Sequence, residues 1–167
     1  MKKYSKMYLP CHLILIVLFI FVVISPNLLH GNLGDEFATA DLEEPLEAIK
    51  SKNWQKAIDL LLKIIKEYPE DPDAHNFLGY SLRNINKLQD ALTYYKLALD
   101  LDPDHINAHE YIGHTYLLLG NLNMASYHLS RINELCSDPC KEQTQLVKGI
   151  EKFKINGSIE SEYTNIR

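Results

Sequence analysis

Residues 76–103, NFLGYSLRNINKLQDALTYYKLALDLDP, align without a gap over residues 110–137, EYIGHTYLLLGNLNMASYHLSRINELCS. Gly79 falls on Gly113 and Ala91 on Ala125, and Pro69 precedes Pro103 by the same 34 residues. Within each copy the apolar residues recur at three-to-four spacing, as on one face of a helix. Ala74, Leu78, Leu82 and Ile85 mark a first helix, and Leu88, Ala91, Leu92, Tyr95, Ala98 and Leu99 mark a second. The turn between them falls at Asn84 to Lys87, with Gly120 in the corresponding place one unit later. Pro103 closes the unit, because proline lacks a donor and clashes with the preceding turn. The expectation is an all-α chain of paired helices in which Gly79 and Ala91 allow close approach.

A period of 34 with these landmarks resembles the tetratricopeptide repeat. The match rests on Leu78, Gly79, Leu82, Ala91, Tyr95, Ala98 and Pro103 in the unit 72–105. Ile112, Gly113, Tyr116, Ala125, Leu129 and Ile132 carry it in the unit 106–139, where Ser137 replaces the closing proline. A place often held by tryptophan in the family is His75 and then His109. Residues 38–71 form a degraded first unit: Trp54, Ala57, Ile58, Leu61, Ile64 and Pro69 fit, while Pro45 stands where a small residue belongs. Proline is tolerated in a first turn, so a short helix is expected to begin near Glu44. Leu146, Ile150 and Phe153 mark an amphipathic helix in 140–154 that would cap the stack, since a repeat buries its apolar face only against neighbours. The resemblance, spanning 41–154, implies a right-handed superhelical stack of helix-turn-helix repeats. A loose tail is expected at 155–167.

In such a stack, the resemblance implies, Asp73, Asn76, Tyr80 and Arg83 line the concave groove, followed by Asn107, Glu110, His114 and Leu117. Tyrosine and arginine are frequent interface anchors, and the mixture suits an extended peptide or a partner helix. The chaperone-tail clamp of some relatives sets lysines along the groove. Those lysines are missing here, so the resemblance does not extend to that ligand.

The first thirty-one residues are a unit of another kind. Lys2, Lys3 and Lys6 precede an unbroken apolar run from Leu13 to Ile24, followed by Ser25, Pro26 and Asn27. This is the order of a secretory signal. As a helix the run rises about 18 Å, short of a hydrocarbon core of about 30 Å. The expectation is export to the periplasm, with the segment cleaved near Gly31 or Gly34 or kept as an inner-membrane attachment through 7–29. Residues 1–31 hold no acid, so removing their three lysines takes the formal net charge from −5 to −8. An acidic chain does not suit a nucleic-acid surface.

Cys136 and Cys140 flank a Ser-Asp-Pro turn between the last repeat helix and the capping helix. In an oxidising compartment two thiols so placed are expected to pair as a structural disulfide. Closing so small a loop contributes roughly 2 kcal/mol in the chain-entropy model. The alternative, a thiol- or metal-handling protein using this pair, would need further ligands or a different spacing. His105, His109 and His114 could share a helix face, but His109 repeats His75, which marks a packing slot. No hydrolase elbow, phosphate-cradling glycine loop or His-Glu-x-x-His motif occurs. The reading is therefore a non-enzymatic protein without metal or cofactor that binds another protein.

Overall fold

The computed structural model describes residues 40–157. Helices run as α1 Glu43–Lys50, α2 Trp54–Glu67, α3 Pro72–Asn84, α4 Leu88–Leu101, α5 Ile106–Leu118, α6 Leu122–Leu135 and α7 Lys141–Asn156. The described residues contain no strand. The segment read as a signal or anchor, and the tail from Ser158, lie outside the described residues. No described helix is long and apolar enough to cross a membrane.

Local chemistry sets the helix starts. Asp71 accepts from the Ala74 N–H at 2.9 Å, and Pro72 follows where its missing N–H costs nothing. Asn53 and Asn121 accept in the same way from Lys56 and Met124. Helix α1 begins at Glu43, with Pro45 in its first turn and Glu43 and Glu44 facing the positive end of the helix dipole. The last helix is longer than the sequence suggests, because Ile155 and Asn156, expected in the tail, remain helical. Gly157 supplies the termination: its φ of 67° is left-handed, and its N–H donates to the Phe153 carbonyl at 2.8 Å.

The 34-residue period reappears bond by bond. Lys52, Asn86 and Gly120 all have positive φ, at 55°, 61° and 75°, in the turn between the helices of each unit. The next residue of each turn closes it: the N–H groups of Asn53, Lys87 and Asn121 donate to Ala48, Leu82 and Tyr116. Three pairs of helices, α1/α2, α3/α4 and α5/α6, are therefore built on one plan, the degraded first unit included. Helix α7 takes the place of the first helix of a fourth unit. Leu78, Ile112 and Leu146 are one period apart and all essentially fully buried, at 0%, 1% and 0% exposure.

Each helix packs on its successor, and α5 also meets α7. One apolar cluster joins Ala57, Leu61, Leu78, Leu82, Ala91, Tyr95 and Ile112 across the first three pairs. A second joins Leu117, Ala125, Ile132, Leu146 and Ile150 beneath α7. The buried leucine and isoleucine side chains each contribute about 1.5–3 kcal/mol by transfer from water, so α7 is a docked cover and not an appendage.

Candidate functional site

Tyr80 and Arg83 lie one turn apart on α3, and the structure brings them against the next first helix. The Arg83 guanidinium carbon sits 5.0 Å from the centre of the Tyr80 ring and 5.5 Å from that of Tyr111 on α5. The two tyrosine rings are themselves 4.9 Å apart. Trp54, at the start of α2, meets Tyr80 edge-on at 5.9 Å. A cation over two ring faces is drawn to their negative quadrupoles, which orients Arg83 without neutralising it. Burial, with Glu110 and Tyr80 adding, pushes the Tyr111 hydroxyl up to about 12, so it stays a neutral donor. The result is a half-buried shelf of three aromatic rings carrying one oriented cation.

Tyr111 is the residue that sequence reasoning missed. It precedes His114, the positional equivalent of Tyr80, by one helical turn. Adjacent first helices meet with that offset, so the partner of Tyr80 is found a turn early. The available signal was an aromatic three residues before both Tyr80 and His114, namely Phe77 and Tyr111.

The other expected groove residues are placed differently from one another. Asp73 accepts from His105 Nε2–H at 3.2 Å, while His105 Nδ1 accepts from the Ala108 N–H and caps α5. That pairing ties the start of α3 to the start of α5. Asn107 is half-buried. Three residues depart from an open groove surface. Asn76 is fully buried, with neither amide atom hydrogen-bonded, and Glu110 is 5% exposed with His114 at 3.5 Å. Leu117 is 1% exposed and belongs to the cluster beneath α7. The cause on the α5 side is close packing by α7: a Cβ built at Gly149 would lie 2.7 Å from His114 and 3.1 Å from Leu117. The capping helix thus lies over part of the surface assigned to the third repeat.

Cys136 ends α6 and Cys140 precedes α7, and a disulfide joins them with Cα atoms 6.1 Å apart. Both sulfur-bearing residues pack against the cluster under α7. Among the described residues no group of three His, Cys, Asp or Glu side chains gathers into a metal site. His105 and His109 go separate ways: the first to Asp73, the second to the Pro103 carbonyl at 3.0 Å. His75 makes the same bond to the Pro69 carbonyl at 2.8 Å, one period earlier. These two histidines pin successive first helices to the preceding interhelix loop.

A tetratricopeptide-repeat family model matches residues 46–106. Over that stretch the chain carries tetratricopeptide (TPR) repeats. Among solved structures this TPR protein resembles the TPR2B domain of yeast Sti1 in its complex with pHsp70, with TM-score 0.58 and 19% identity over 65% of this chain and 91% of that one. It also resembles the TPR domain of Arabidopsis OM64, with TM-score 0.61 and 19% identity over 66% and 90% of the two chains. MamA from AMB-1 matches with TM-score 0.52 and 27% identity over 55% of this chain. In that comparison the TPR protein spans 54% of the MamA chain. No curated relative matches the sequence. The fold is that of a helical repeat stack, and the shelf on α3 and α5 gathers residue types that are frequent interface anchors.

Proposed function

We propose that this TPR protein is a non-enzymatic scaffold or assembly factor that holds an extended peptide or helix of another protein along the α3–α5 face. The observation that carries this reading is the Arg83 guanidinium held over Tyr80 and Tyr111. Aromatic and arginine side chains of limited freedom lose little entropy on binding and concentrate affinity in a few contacts. A peptide laid along the shelf would gain ring contact from Trp54, Tyr80 and Tyr111 and a charge-assisted hydrogen bond to a carbonyl or carboxylate from Arg83. The Sti1 domain of the same fold is found with a protein ligand, which supports the class of function and not the identity of the partner.

The scaffold is proposed to work after export, in the periplasm or attached at the inner membrane. The basic-then-apolar order of residues 1–31 and a disulfide suited to an oxidising compartment support that placement.

Crosslinked pull-down from intact cells, comparing the unaltered chain with a Tyr80→Ala, Arg83→Ala double variant, tests the shelf. Loss of one specific partner with helical content and melting unchanged is the expected result. An unaltered set of partners would reject the shelf as the working surface.

A further inference from the structure

The second and third repeats differ at one buried contact. In the second, the rings of His75 and Tyr94 stack with centres 6.1 Å apart. One period later the same two places hold His109 and His128, whose Nδ1 atoms lie 2.9 Å apart. The protons on this pair follow from its neighbours. The Pro103 carbonyl can only accept, so His109 Nε2 carries its proton and His109 Nδ1 offers a lone pair. His128 therefore donates its Nδ1–H to His109, and its own Nε2 keeps the remaining lone pair. This N–H···N bond joins α5 to α6 inside the third repeat, with each ring only 4% exposed. Beside it a cavity of 450 Å³ lies between α4 and α6, walled by Lys96, Asp100, Tyr116, Tyr127 and Arg131. Tyr127, on that wall, is 54% exposed, which places solvent near the pair.

We propose that the His109–His128 pair is a pH-sensitive latch, shut while both imidazoles are neutral and released in acid, so that the third repeat and α7 loosen while the earlier repeats stay folded. The charged and titratable groups around it oppose a positive charge there. Lys96 faces His128 from α4, and Tyr116 on α5 stacks on its ring while Tyr127 on α6 abuts it edge-on. Arg131 on α6 and His105 at the start of α5 oppose a charge on His109, while its hydrogen bond to the Pro103 carbonyl and then Asp104 favour it. Burial, then His109 and Lys96, push His128 down to about 3, and burial is also the main cause that lowers His109. A folded value below the unfolded value of about 6.5 means that the unfolded chain binds more protons below that pH. The stability this pair contributes is thus complete above about pH 6.5 and declines as pH falls toward the folded values. One proton can be accommodated on His128 Nε2 with the bond intact. A second has only His109 Nδ1, the accepting atom, and breaks it.

Release is local because repeats contact only their neighbours, so a stack can open from one end. The second repeat lacks the device, since a tyrosine takes up no proton in acid. The test uses the full chain and a His128→Tyr variant, which installs the residue that the second repeat carries at position 94. Amide hydrogen exchange, corrected for intrinsic rates, is followed at about pH 7 and about pH 4.5. Opening of α5–α7 in the unaltered chain should rise by up to about tenfold per pH unit for each linked histidine, with α3 and α4 changing less. In His128→Tyr that differential should shrink by at least half. An equal acid response in a variant that is native at pH 7, or a uniform response along the unaltered chain, would overturn the latch. Should the tyrosine variant misfold, imidazole proton resonances of the unaltered chain decide. Titration of His128 near its ordinary value overturns the latch, and titration well below it supports it.

Discussion

Gly79 and Gly113 hold the same place in successive repeats, yet a methyl group added at each meets different neighbours. At Gly79 it would lie 2.7 and 2.8 Å from the Tyr95 ring and 3.1 Å from the Ala91 carbonyl oxygen, groups that a fully buried ring and a helix backbone hold fixed. At Gly113 its nearest neighbours would be the two methyl carbons of Leu146, at 2.7 and 2.9 Å. Gly79→Ala should therefore cost about 1–3 kcal/mol in urea unfolding. Gly113→Ala should cost less and register chiefly as faster exchange in α7. Asn76 poses the opposite case. Its buried amide has no partner, a condition that costs about 1–3 kcal/mol. Asn76→Leu, which keeps the same branching of side-chain heavy atoms, should raise stability by about 1 kcal/mol. Equal denaturation midpoints for the two proteins would reject the assignment of Asn76 as an energetic cost. The residue types on this face were legible in the sequence, but their exposure was not. Burial of Asn76, Glu110 and Leu117 depends on how neighbouring helices approach, which helical periodicity within one segment does not encode.

The helices themselves were far more legible, because each is announced by local chemistry: an apolar stripe, a capping side chain and a turn. Extension of α7 to Asn156 is not written in hydropathy, because its terminator, Gly157, acts through φ. The interhelix turns show how unequal residues serve one geometry. Gly120 adopts its positive φ freely, Asn86 with tolerance, and Lys52 against its side-chain preference. Lys52→Gly should accordingly stabilise the first pair by about 0.5–1 kcal/mol, and Gly120→Ala should destabilise the third by about 1 kcal/mol. Thermal melts of the two variants should move in opposite directions. Between α6 and α7 the constraint is covalent. A Cys136→Ser, Cys140→Ser variant should lose roughly 2 kcal/mol of α7 docking, visible as exchange confined to the last helix. Loss of cooperativity along the whole stack would contradict that assignment.

Across the molecule, the period of 34 was readable because Gly79, Ala91 and Pro69 return on schedule as Gly113, Ala125 and Pro103. The contacts that individualise the stack were not readable, since Tyr80 meets Tyr111 and not its positional equivalent His114, and the His109–His128 bond fills a place that the second repeat gives to a histidine and a tyrosine. The carbonyl bonds of His75 and His109 are among the features that keep the period. They act as standard couplings: each fastens an incoming unit to whatever unit stands before it, without reference to the rest of the chain. Excising residues 72–105 would bring His109 to the Pro69 carbonyl with the connection lengths unchanged. The shortened chain should fold, and its circular dichroism should show the helices of α3 and α4 missing and the others retained. Evolution of such a chain can therefore alter the reach of its binding face in whole units while leaving the fittings at either end untouched.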